Sequence, residues 1–190
     1  MPVPYWEIIS VSWMIFYVYW TFRAIRRHRP RRKAARTFTI LNNFALYIGF
    51  LLVLLGRSIP GSLSLLFAPQ FASIHITGTV FTIVGVSFAI WSRTLLKNNW
   101  SRDVAILEDQ HFIQSGPYAI VRHPIYTGIL FALLGTALVC STLGSLLGFA
   151  FAITSLWQKA HMEEKLLITE FGQQYTNYQH EVRFLIPFIY

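Results

Sequence analysis

The sequence is short of charge, shorter still of acid, and almost without cysteine. Asp and Glu number 8 against 16 Lys and Arg, and charged residues make up 13% of the 190 positions. That is about half the usual share in soluble domains. With 54% hydrophobic residues, a soluble chain of this size would have too little polar surface to cover its core, a requirement that a bilayer removes. The single cysteine, Cys140, lies in an apolar run and excludes an intrachain disulfide framework or a thiolate zinc site. There is no His-Glu-x-x-His, no Gly-x-Ser-x-Gly elbow and no Gly-rich phosphate turn, so the sequence offers no support for those hydrolytic and nucleotide chemistries. His111, His123, His161 and Glu164 lack metal-ligand spacing, and no metal is expected. A basic leader is also missing. The basic residues follow the first apolar stretch, so Tyr5 to Phe22 reads as a retained span rather than a secretory signal.

What is present is a series of long apolar runs. Crossing the hydrocarbon core takes about 20 apolar residues. Pro4 to Phe22, Phe38 to Gly56 and Phe71 to Leu96 qualify. Ile125 to Trp157 is too long for one span and reads as a tight helical hairpin turning near Cys140 to Gly144. Small residues at Gly128, Ala132 and Thr136, and again at Gly144 and Gly148, permit close backbone approach. The expected fold is all-α: an integral membrane protein of about five transmembrane helices, closed by a C-terminal hairpin. It is one domain over 1–190, with three spans in 1–96 and the polar motifs in 97–190.

Half of the Lys and Arg fall between Arg23 and Arg36, directly after the first span. This marks a cytoplasmic loop facing anionic lipid rather than a nucleic-acid surface. Alternation then places 97–123 and the C-terminus on the same cytoplasmic face. Every acidic residue except Glu7 lands there too.

Two polar stretches on that face carry candidate chemistry. One contains His111, Phe112, Ile113 and Gln114, the turn Gly116-Pro117-Tyr118, and Arg122-His123-Pro124-Ile125-Tyr126. The other contains Lys159, Glu163-Glu164 and Phe171-Gly172 with Tyr175 and Tyr178. Pro124 suits the first helical position and keeps His123 out of the helix. A carboxylate at the end of a span, as at Glu163 and Glu164, calls for a partner or a ligand. Taken singly, each of these residues has a plain alternative reading: a snorkelling arginine, a belt tyrosine or a solvated helix end.

In order and spacing, the two stretches resemble the isoprenylcysteine carboxyl methyltransferase family of membrane enzymes. The likeness covers roughly Asn98 to the C-terminus. It implies S-adenosylmethionine as methyl donor in a cytoplasmic-face pocket, lined by His111 to Gln114, Tyr118, His123 to Tyr126, and Glu163. It also implies a lipophilic or prenylated acceptor, most simply a carboxylate. Arg122 is a candidate clamp for a carboxylate of substrate or cofactor. Lys159 stands where the family carries a substrate-contacting arginine, and Ile113 where it carries leucine. Lys is not an equivalent two-pronged clamp, so the acceptor stays open. Phospholipid N-methylation, an NADPH-dependent sterol-type reduction and a non-catalytic scaffold are the alternatives.

Overall fold

The computed structural model describes residues 5–24, 30–97, 105–107 and 112–187. Five long helices carry the architecture: α1 (Tyr5–Ala24), α2 (Arg36–Leu55), α3 (Ala72–Leu96), α4 (Pro124–Cys140) and α5 (Leu143–Phe171). A short α6 (Gln173–Glu181) follows. The all-α expectation holds, with one small ladder beside the helices. Pro30–Lys33 (β1) pairs antiparallel with Ala105–Leu107 (β2), forming a two-stranded sheet. Both strands come from loops with no alternating apolar pattern, so only their juxtaposition by the helices makes them strands.

The bundle is apolar outside as well as inside. Val11, Met14, Ile15, Val18 and Phe22 on α1 are exposed, as are Leu41, Phe44, Tyr47 and Leu51 on α2 and Ile76, Val80 and Val84 on α3. Patches of that extent on a protein surface face lipid or a partner. Thr37–Ser58 and Ala72–Leu96 are each long and apolar enough to cross a membrane. α1 owes much of its apolar character to Trp and Tyr, whose polar tips suit the interface.

The turn of the hairpin falls where the apolar block suggested. Ser141 takes a left-handed conformation (φ 52°) and ends α4. Thr142 then caps α5: its side chain accepts from the Ser145 N–H, and the Ser145 hydroxyl accepts from the Thr142 N–H. Reciprocal caps of this kind satisfy two of the donors a helix start leaves bare. The two arms, however, find their main partners elsewhere. α4 packs along α3, and α5 along α2.

The small-residue stripes explain both pairings. A Cβ on Gly128 would meet the Ala89 nitrogen and the Gly85 oxygen at 2.7 Å, and Gly135 lies against the backbone of Gly78 and Thr82. Gly148 and Gly144 meet Gly49 and Gly56 in the same way. The Gly144–Gly148 pair is therefore used within the chain. At the centre of the α3–α4 contact, Trp13 donates from Nε1 to Thr136 Oγ1 (3.0 Å), and Thr82 Oγ1 lies 3.3 Å from Thr136 Oγ1. Gly135→Leu is expected to force the two backbones apart, at about 1–3 kcal/mol or more. A fall in the melting temperature of detergent-purified protein would record it, and an unchanged melt would contradict the close packing.

Candidate functional site

The polar residues converge where α4 begins, α5 ends and α6 turns back. Gly116 adopts φ +62°, a conformation that glycine reaches without strain. It opens a 3-10 turn, Gly116–Ala119, lying against α3. That turn buries Tyr118, whose hydroxyl donates to the Ser92 carbonyl (3.4 Å) and whose carbonyl accepts from the Tyr178 hydroxyl (2.5 Å). Pro124 is the first residue of α4 and His123 its cap, at φ −121° and ψ 60°; the residue is kept out of the helix, as a following proline requires, but its ψ falls short of the fully extended value expected.

The C-terminal segment returns to hold this entry. Val121 bridges Arg183 in parallel, and the N–H groups of Arg122 and His123 donate to the carbonyls of Arg183 (2.8 Å) and Phe184 (3.3 Å). Thr127 Oγ1 donates to the Leu185 carbonyl (2.6 Å). The chain end therefore fixes the backbone that presents the His123 ring.

Two consecutive carboxylates flank that ring. Neighbouring residues on a helix diverge by about 100°, so Glu163 and Glu164 point to different sides of it. Glu164 faces inward and is heavily engaged. Its Oε1 accepts from Arg122 Nε (2.6 Å) and Tyr175 Oη (3.2 Å) and lies 3.2 Å from His123 Nε2; its Oε2 accepts from Gln179 Nε2 (2.8 Å). Burial alone would raise the Glu164 carboxyl, but hydrogen bonds from His123 and Arg122, reinforced by their charge, outweigh it and bring its pKa down to about 2. α5 runs on to Phe171, about four turns past the apolar block that ends at Trp157, and Glu164 lies about two turns past it, so this carboxyl sits beyond the apolar run. On α6, burial first and the Glu164 charge second push the Tyr175 phenol far up, keeping it a donor.

Glu163 is the more open of the pair, with a quarter of its side chain exposed. It accepts a hydrogen bond from the Tyr126 hydroxyl, and its Oε2 stands 3.7 Å from His123 Nδ1, beyond hydrogen-bond reach. Tyr126 lies parallel to the His123 ring at 5.6 Å between centroids, and Lys159 Nζ sits 5.8 Å from the centre of the Tyr126 ring.

Arg122 clamps a carboxylate, but that carboxylate is the chain's own Glu164. Its Nη1 donates to the carbonyls of Gln179 (3.0 Å) and Val182 (2.6 Å) as well, satisfying acceptors that the end of α6 leaves unpaired. The open clamp expected of Arg122 is thus replaced by a buried tie between α4, α5 and α6. Phe112 packs among Phe171, Tyr175 and Tyr178 at 5.1–5.5 Å. Ile113 is half-buried, Gln114 exposed, and Pro124 and Ile125 buried; His111 lies outside the described residues. Among the described residues no three His, Cys, Asp or Glu side chains gather as a metal site.

Gln179 and Phe184 belong to the cluster without having been singled out from the sequence, because only the return of the chain end brings them there. Arg93 is a further case. It is 3% exposed at the end of α3, with Nη1 donating to the Lys97 carbonyl (3.0 Å). The signal for it was available: an arginine closing an apolar run is costly unless it has a function or a partner.

These features define an apolar helical fold with its polar groups gathered at one end. Residues 76–169 match the model of the isoprenylcysteine carboxyl methyltransferase family. A protein-S-isoprenylcysteine O-methyltransferase of Tribolium castaneum is 24% identical over 185 residues, covering 94% of this chain and 64% of that protein. One from Saccharomyces cerevisiae is 34% identical over 82 residues, covering 43% of this chain and 34% of that protein. A methanethiol S-methyltransferase of Pseudomonas deceptionensis is 42% identical over 73 residues, covering 37% of this chain and 26% of that protein. The solved structure of a eukaryotic intramembrane Ras methyltransferase shares the fold, with a TM-score of 0.52 at 24% identity over 84% of this chain and 55% of the other. Over residues 76–169, just under half of its length, the chain carries the pattern of the isoprenylcysteine carboxyl methyltransferase family, and it spans between about a quarter and two thirds of the length of these curated relatives.

Proposed function

We propose that this chain transfers a methyl group from S-adenosylmethionine to a lipophilic acceptor at the end of the bundle where α4 begins. The observation that carries the reading is the division of labour between Glu163 and Glu164. One carboxylate is consumed by Arg122, His123, Tyr175 and Gln179; the other keeps an outward oxygen beside two aromatic rings. That suits a donor with ribose hydroxyls to bind and a sulfonium cation that a carboxylate and aromatic faces tolerate. Glu163, Tyr126, Tyr118 and His123 are the residues proposed to hold the donor, together with the segment from His111 to Gln114.

S-adenosylmethionine supplies an electrophilic methyl and a neutral leaving group. The protein's task is then to hold donor and acceptor in line and to exclude water, because opposite charges are lost as they approach the transition state. Tyr126 holds the Glu163 carboxylate, and Glu164 holds the other edge of His123, so the donor side is set before any ligand arrives. Lys159, over the Tyr126 ring, is the proposed cation for an anionic acceptor. As a point charge it fits a carboxylate or a thiolate equally.

A carboxylate acceptor follows the protein-S-isoprenylcysteine O-methyltransferases, and a thiol follows the methanethiol S-methyltransferases. Phospholipid N-methylation, sterol-type reduction and a scaffold role draw no support from these relatives. The five long helices are proposed to cross the membrane, with 97–123 and the C-terminus cytoplasmic, because the basic residues collect after α1. Purified protein given labelled S-adenosylmethionine and either a prenylcysteine analogue or a lipophilic thiol tests the reading. Label that base releases as methanol marks an ester, and label that base leaves in place marks a thioether. No transfer to either acceptor by folded protein overturns the proposal.

A further inference from the structure

The only sheet among the described residues joins two loops that a helical bundle would leave separate. β1 lies between the last turn of α1 and the first turn of α2, and its sequence is Pro30-Arg31-Arg32-Lys33. Its partner β2 pairs through Pro30 with Leu107, Arg32 with Ile106 and Lys33 with Ala105. β2 also lies against α5, the helix that carries Glu163 and Glu164. Five residues past β2 the chain reaches Phe112, packed among Phe171, Tyr175 and Tyr178. Tyr175 in turn bonds Glu164, and Tyr178 bonds the Tyr118 carbonyl.

A strand with three consecutive cations, placed where two neighbouring helices end, stands at the level of lipid headgroups if α1 and α2 cross the bilayer. Five further arginines, Arg23, Arg26, Arg27, Arg29 and Arg36, flank it in sequence. Such a segment is drawn to an anionic leaflet and released by salt. Here the same segment is hydrogen-bonded to the strand that leads into the site. A pair of strands this short is marginal alone, so holding one strand on a surface steadies the other.

We propose that β1 docks on anionic lipid headgroups, and that the β1–β2 pairing passes this docking to Phe112 and the aromatic wall of the site, making donor affinity depend on the charge of the leaflet. The partner is a lipid surface rather than a soluble anion, because the cations follow one another in sequence along a strand set between two helix ends. The dependence on donor affinity rests on the methyl-transfer reading; the docking and its passage to Phe112 do not.

The test uses the full chain in nanodiscs of phosphatidylcholine alone, or with roughly one-third phosphatidylserine. Amide hydrogen exchange is followed at 105–107 and 112–114. S-adenosylhomocysteine affinity is measured in the same discs. Anionic lipid is expected to slow exchange in both segments by about tenfold and to tighten S-adenosylhomocysteine binding by about three- to tenfold. High salt should abolish both effects. The combined variant Arg31→Gln, Arg32→Gln, Lys33→Gln should behave in both lipids as wild type does in phosphatidylcholine. Equal exchange in the two lipids, or a combined variant that responds as wild type does, overturns the proposal. Inositol hexakisphosphate reproducing the exchange effect in neutral discs also overturns it, since the site would then be one for soluble anions. Absent S-adenosylhomocysteine binding in both lipids counts against the methyl-transfer reading, while the exchange result still decides the docking.

Discussion

Glu164→Ala is expected to cost the protein about 3–5 kcal/mol of stability, the largest single effect of any side chain in the site. The loss leaves the buried Arg122 guanidinium and the His123 ring without their shared carboxylate, and strands the Tyr175 hydroxyl and the Gln179 amide. Glu164→Gln should recover part of it, because the amide oxygen still accepts from Arg122. A double-mutant cycle with Arg122→Met supplies the control. The double variant should be markedly less destabilised than the sum of the two singles, since no charge is then left unpaired. Simple additivity would show that the two residues do not act as a pair.

The same carboxylate sets an acid limit. Its folded pKa of about 2 lies below the ordinary 4.5. The stabilisation it provides is therefore fully present above about pH 4.5 and is lost as pH falls toward 2. Thermal melts across that window should show wild type losing stability with acid more steeply than Glu164→Gln.

Glu163→Ala is expected to behave in the opposite manner, sparing the fold and weakening the donor. Its bonded partner among the described residues is Tyr126, at a partly exposed position, so the melt should move little. If Glu163 binds the ribose hydroxyls of the donor, losing that charge-assisted hydrogen bond costs about 1.5–3 kcal/mol, or roughly ten- to a hundredfold in S-adenosylhomocysteine affinity. Tyr126→Phe should give a smaller loss, because it frees the carboxylate without removing it. An alanine variant that binds S-adenosylhomocysteine as tightly as wild type would sink the assignment of Glu163. Calorimetry on the two adjacent variants thus separates a structural carboxylate from a binding one.

The contrast between Glu163 and Glu164 also marks how far the chain alone could be read. The helical spans were legible because apolar runs of membrane length have few other uses. The hairpin turn was legible because the apolar block is too long for one span, and the structure places the turn at Ser141 and Thr142. The non-helical backbone at His123 followed from Pro124. Those are local constraints, carried by neighbours in sequence. The roles of the charged residues were not local. Arg122 has the chemistry of an open carboxylate clamp, and nothing beside it in sequence shows that Glu164, 42 residues on, already fills it. Lys159 reads as a substitute for an arginine, yet its place over the Tyr126 ring depends on how α5 lies against α4.

The sequence by itself determined that this is a helical membrane chain with its polar chemistry at one end, because burial, span length and backbone restriction act residue by residue. Tertiary structure alone decided which carboxylate is structural and which is open. It decided too that the small-residue stripes join α3 to α4 and α2 to α5, and that two unpatterned loops pair as strands. Each of these outcomes depends on distances between groups far apart in the chain, set by how closely glycine-lined helices can pack.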